Sequence, residues 1–174
     1  EWLSAINQLS LDINKEKNVK GVIFDLRNNP GGYLTDAVFI SSEFLKEGSS
    51  VVVQEENGEQ EALKSNRRGL LTETAVIILI NKGSASASEI VAGALRDNSR
   101  ATLVGETSFG KGTIQQAEDL GGGAGLHVTI AKWLTPNKIW VNGKGLEPDI
   151  AVQLSSKEPE RDTQLEKAIQ ELVK

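Results

Sequence analysis

The chain reads as an α/β domain. Two patterns carry that expectation. Residues 19–26, 75–80 and 101–104 are short, largely apolar runs rich in Val, Ile and Leu. After the first two come turn-forming residues and then segments whose apolar positions recur three and four apart, as on one face of a helix. Runs of that kind suit strands covered on both faces, so the three are expected to pair in parallel, within a mixed sheet built from strand-turn-helix units. A chain of 174 residues is long enough for one domain with a substantial core, taken here as 1–174.

In chain order, Trp2, Leu3, Ile6, Leu9 and Ile13 predict an amphipathic helix over 2–14. The first strand, Gly21 to Leu26, stops at Arg27-Asn28-Asn29-Pro30-Gly31-Gly32, whose Asn, Pro and paired Gly are turn residues. A helix over 33–46 follows and ends at Gly48. Residues 51–53 and 61–63 flank Asn57-Gly58, the strongest short signal for a hairpin. Strand 75–80 leads through a turn at 81–85 into a helix over 86–97, and a third buried strand ends at Val104. Thr113 to Leu120 is ambiguous in type. Leu126, Val128 and Ile130 alternate with polar neighbours as a strand does. Ile139 to Val141 is expected to pair back on it, and Ile150 to Val152 to form a last strand. The C-terminal helix is expected within 156–174.

Bulk chemistry removes several function classes. Formal charge of −5 gives no basic footprint for nucleic acid. With no Cys there is no disulfide, no thiolate nucleophile and no Cys-based metal site, and one histidine, His127, cannot supply a multi-histidine site. No apolar run approaches the ~20 residues of a membrane span. No organic cofactor or metal is expected. The chain has no initiator Met and starts in mid-pattern, so it is expected to be a piece of a longer precursor.

Candidate chemistry gathers at the ends of the strands. Lys82-Gly83-Ser84-Ala85-Ser86-Ala87-Ser88-Glu89 places three hydroxyls at a helix start, in the positive field of unpaired backbone N–H groups. Serine is also a preferred N-cap, so helix capping explains each of them without catalysis. A Ser/His/Asp triad is disfavoured, because His127 sits mid-strand and no G-x-S-x-G elbow surrounds the serines. Gly105 to Lys111 approaches a phosphate-binding loop but has Gly112 where Ser or Thr must ligate magnesium. Lys111 can instead act as a base if it is held neutral, which requires desolvation from an ordinary pKa of about 10.4. Gly110 and Gly112 carry no polar side chain, and Phe109 and Ile114 can supply an apolar wall; a solvated loop charge is the competing reading. Gln115 reaches Lys111 only if 111–115 curls, since four extended residues span roughly 13 Å. The backbone N–H of Ala87 and the Pro30-Gly31-Gly32 turn can offer oxyanion donors.

Asp25 to Gly32, Asn81 to Ile90, Gly105 to Gly112, and Gly145-Leu146-Glu147-Pro148-Asp149-Ile150 together resemble, in order, the motifs of the C-terminal processing peptidases, or tail-specific proteases. The resemblance covers most of 19–152. It implies a crotonase-like or Clp-protease-like α/β core, Ser86 rather than Ser84 or Ser88 as nucleophile, Lys111 as general base and Gln115 as the residue that orients it. Gly32 and Ala87 would supply oxyanion N–H groups. The expected substrate is a protein with an unstructured C-terminal tail, the setting extracytoplasmic (bacterial periplasm or envelope, or thylakoid lumen), and homo-oligomerisation is left open. The family's usual PDZ domain has no counterpart in 1–174. Two rivals remain, a non-catalytic peptide-binding remnant of such a peptidase and a nucleotide-binding domain using Gly105 to Lys111.

Overall fold

The computed structural model describes residues 1–155 and 160–174. Helix α1 (Trp2–Lys15) precedes β1 (Val22–Asp25), α2 (Leu34–Ser41), the ribbon β2 (Ser50–Glu56) and β3 (Glu59–Lys64), then β4 (Val76–Ile80), α3 (Ala87–Asp97) and β5 (Ala101–Gly105). A long hairpin, β6 (Thr113–Gly121) and β7 (Ala124–Leu134), is followed by β8 (Ile150–Ala151) and α4 (Thr163–Leu172). Positions 156–159 of the expected C-terminal helix lie outside the described residues, and no helix among those described is long and apolar enough to cross a membrane.

The expected α/β class stands, but the strands divide over two sheets. β1, β4, β5 and β8 form a parallel sheet in the order β1-β4-β5-β8, and the second sheet, β3-β2-β7-β6, is antiparallel. All five residues of β4 are buried, because both faces of the strand are covered. Val76, Ile78 and Ile80 pack into the main core with Ala92, Leu95 and Phe44; Ile77 and Leu79 face the other way, onto Ala168 and Leu172 of α4. This two-sided burial is why 75–80 is apolar without alternation.

Local chemistry sets the element ends. Asn57 and Gly58 both have positive φ, 51° and 87°, which closes the two-residue β2–β3 turn. The ambiguous 113–120 segment is a strand because β7 is present to pair with it.

Three expectations need correction. α2 stops at Ser41 rather than continuing to 46: Ser42 Oγ donates to the Val38 carbonyl, and the buried Glu43 carboxylate turns to Arg67 and the Leu70 amide. Ile139 to Val141 forms no strand; Val141 drops into the core and Trp140 Nε1 donates to the Gly112 carbonyl at 3.0 Å. Residues 111–115 make no helical turn, since β6 begins at Thr113 and continues through a bulge between Ile114 and Gln115.

Candidate active site

β1 and β4 are parallel neighbours, so the loops leaving their C-terminal ends lie side by side. Side chains stitch these loops together. Asn81 Oδ1 accepts from the Asn28 and Gly83 amides, each at 2.9 Å, and the Ala85 amide donates to the Asn29 carbonyl at 3.0 Å. Ser84, wholly buried, donates its hydroxyl to the Leu26 carbonyl at 2.8 Å and accepts from the Asn81 amide. Ser84 thus shapes the turn, while Ser88 is buried in the first turn of α3.

Ser86 is the residue before α3, half-buried, at φ 54° and ψ −118°. A non-glycine residue there is strained by about 1–3 kcal/mol, and such strain persists only where surrounding contacts impose it. The contact is visible: a Cβ on Gly31, itself at φ +93°, would lie 2.5 Å from the Ala85 carbonyl oxygen and 2.7 Å from the Ala87 nitrogen. The loop after β1 therefore presses against the serine turn at a distance only glycine permits. The G-x-S-x-G sequence is missing, but the sharp strand-to-helix turn that lifts a serine above a sheet is present.

Ser86, Lys111 and Gln115 line one cleft of about 710 Å³, together with Gly32, Ala87 and the apolar side chains of Leu34, Ile90, Ile114 and Trp133. No carboxylate lines it, and among the described residues Lys111 Nζ has neither an ion-pair partner nor a hydrogen bond to Ser86 or Gln115. Lys111 is half-buried. Its wall includes Ile114, as the sequence suggested; Phe109, the other residue expected there, is 64% exposed and does not line the cleft. Gln115 shares the cleft from an extended strand, not from the one-turn curl that the spacing required. His127 also lines the cleft, because it pairs with Ala117 across the hairpin and shares its face.

Among the described residues, the amides of Gly32 and Ala87 have no acceptor within the protein. Both residues also line a second, largely apolar cavity of about 280 Å³, walled by Trp2, Phe24, Leu26, Ile40 and Val91 and also by the acidic residues Asp25 and Asp36. The two cavities thus share Gly32 and Ala87 on their walls.

One buried residue was missed. Glu89 of α3 is fully buried, and its carboxylate accepts from Ser86, Ser108, Gly110 and Lys111. The signal was Ser86-x-x-Glu89, a capping-box pattern in which the fourth residue reaches back to the N-cap amide. Ser108 also joins the Lys111 loop to the 145–150 motif: its Oγ accepts from the Leu146 amide at 2.7 Å, and its amide donates to the Leu146 carbonyl.

On the flank of the 28–32 loop, Arg27 pairs with Asp25 and reaches Asp162 and Gln164 at the start of α4. These hydrogen bonds raise the Arg27 guanidinium pKa above its ordinary value and hold the Asp162 carboxyl below its own. Gly112 is followed by a strand, β6, rather than a helix, so Gly105 to Lys111 lacks the helix N-terminus on which a phosphate-binding loop depends.

Similarity to known proteins runs through the same segments. The chain is 45% identical over 153 residues to a carboxyl-terminal-processing protease of Synechocystis sp. (strain ATCC 27184 / PCC 6803 / Kazusa), covering 88% of this chain and 34% of that protein. It is 40% identical over 146 residues to the carboxy-terminal processing protease CtpA of Bacillus subtilis (strain 168), covering 83% of this chain and 31% of that one. The chain therefore spans about a third of the length of these relatives. The solved structure of a photosystem II D1 C-terminal processing protease superposes with a TM-score of 0.76 at 32% identity, over 98% of this chain and 42% of its own. Residues 2–152 match Peptidase family S41, and the chain belongs to that family.

Proposed function

We propose that the chain is the catalytic core of a serine endopeptidase that cuts proteins near unstructured C-terminal tails. The observation that carries the proposal is the cleft that holds Ser86, at a strained turn above a parallel sheet, together with Lys111, whose Nζ has no carboxylate partner among the described residues. In the reaction, the unprotonated Lys111 amine takes the Ser86 proton and Ser86 Oγ attacks the scissile carbonyl. The amides of Gly32 and Ala87 donate to the developing oxyanion. Lys111 returns the proton to the leaving amine, and then activates the water that hydrolyses the acyl-enzyme. Gln115, which lines the same cleft without a hydrogen bond to Lys111 in this structure, is the residue assigned to orient the amine in the substrate complex; as a neutral amide it does so without fixing the ammonium form, as a carboxylate would. The cavity behind Gly32 and Ala87, apolar except for polar residues that include Asp25 and Asp36, suits a side chain without negative charge next to the scissile bond.

Substrate preference for protein tails rests on the names of the relatives, and the extracytoplasmic setting on the family resemblance. Both are part of the proposal. The non-catalytic alternative is the weaker reading, because a scaffold that only holds peptide has no use for a strained serine in one cleft with a lysine whose Nζ has no ion-pair partner among the described residues.

The test is cleavage of an unstructured tail peptide together with acylation of the chain by a fluorophosphonate, read by intact mass. Ser86→Ala is expected to abolish both. Lys111→Ala is expected to slow both by at least 10³-fold, in line with the loss of a catalytic base from a nucleophile-base unit. Turnover or labelling that survives both substitutions would falsify the mechanism.

A further inference from the structure

We propose that Glu89 is the positioning residue of this site, setting the relation between nucleophile and base by holding the backbones of both. The proposal rests on the assignment of Ser86 and Lys111 above. The Glu89 side chain is 0% exposed, and among the described residues no cation pairs with it. A buried carboxylate without a cationic partner is costly unless its lone pairs are filled by donors.

Here four donors fill them. Oε1 accepts from Ser108 Oγ at 2.5 Å and from the Gly110 amide at 2.7 Å. Oε2 accepts from the Ser86 amide and from the Lys111 amide, each at 2.9 Å. A single oxygen atom therefore joins the main chain of the nucleophile to the main chain of the base, and their two nitrogens cannot lie further apart than twice that bond. The carboxylate also sits in the first turn of α3, where the helix dipole favours negative charge.

A capping box accounts for only one of these bonds, the one from Ser86. Capping α3 needs neither Gly110, nor Lys111, nor Ser108. The other three all come from the loop that carries the base, which belongs to the end of β5, a different strand from the one that precedes Ser86. Glu89 does not reach the reacting atoms; it acts through the placement of Ser86 and Lys111. Geometry of this kind governs the chemical step and not the affinity, since a misplacement of about 1 Å between reacting groups can cost about 10²-fold in rate.

The test uses the whole chain, with fluorophosphonate acylation followed as a function of probe concentration so that the maximal rate and the half-saturating concentration separate. Glu89→Gln keeps the length and removes the charge and one acceptor oxygen. It is expected to lower the maximal acylation rate by about 10- to 100-fold with the half-saturating concentration changed less than about twofold. The same substitution placed on Lys111→Ala is expected to cost less than about threefold more, because the relation it maintains is already gone. Ser108→Ala, which removes one donor and leaves the carboxylate, keeps the test open if Glu89→Gln fails to fold; a loss of about three- to tenfold in maximal rate at unchanged half-saturation is expected. Equal losses with and without Lys111, or a loss confined to half-saturation or thermal stability, would overturn the proposal for Glu89 alone. Labelling indifferent to Ser86→Ala or to Lys111→Ala would instead overturn the mechanism on which it rests.

Discussion

At Ser86 the backbone conformation and the chemistry pull in opposite directions. Its φ of 54° is uncomfortable for any residue with a Cβ, and it persists because Gly31 packs against Ala85 and Ala87 and because Glu89 holds the Ser86 amide. Ser86→Gly is therefore expected to stabilise the fold by about 1 kcal/mol in urea denaturation while removing the proposed nucleophile; destabilisation instead would mean that the turn is not strained. The sequence marked the 82–90 stretch but could not separate three serines by pattern, since each suits a helix start. The structure gives Ser84 and Ser88 buried structural roles and leaves Ser86 at the cleft. The sequence sets His127 aside as a mid-strand residue; its place on the cleft wall follows only from the partner strand and register, which Ala117 fixes.

Among the elements, α4 is attached to the site by charge. Asp162 caps the helix by accepting from the Leu165 amide and also holds Arg27, which precedes the 28–32 loop. Its carboxyl lies below the usual range, chiefly through the Arg27 hydrogen bonds. A depressed folded-state pKa contributes stability that is complete above the unfolded value, about pH 4, and is lost as pH falls through the folded value. Acid titration of the wild type is thus expected to weaken α4 docking below about pH 4. In Asp162→Asn that acid-dependent component is expected to shrink, by the difference between the two unfolding curves; identical curves would show that the pair contributes nothing. Element identity was largely legible from periodicity: α1, β1, β4, α3 and β5 appear where the apolar spacing put them. The failures at 42–46 and 139–141 share one cause, polar side chains diverted to main-chain partners distant in sequence, which local pattern does not record.

Over the whole molecule, the parallel sheet is the platform and the loops at its C-terminal edge carry the proposed catalytic residues, an arrangement that separates rigidity from reactivity. β4 is central to both. Ile78 is wholly buried and belongs to the cluster that includes residues of α2 and α3. Ile78→Ala is expected to cost about 3–4 kcal/mol by chemical denaturation, through lost transfer energy and the cavity left behind. Because the platform underlies Ser86, activity is expected to fall at temperatures well below the wild-type midpoint; a loss under about 1 kcal/mol would show that the core repacks around the gap.

The sequence by itself determined the α/β class, the order of most elements, the exclusion of thiol and multi-histidine chemistry, and the four ordered motifs that place the chain in its family. Those depend on residue type and local spacing, which the linear chain carries in full. Only the tertiary structure decided that the strands split into two sheets, that Gln115 meets the cleft from an extended strand, and that Glu89 binds the turn of Ser86 to the loop of Lys111. Each of these depends on which segments distant in sequence come within hydrogen-bonding range, a distance set by packing and not by spacing along the chain.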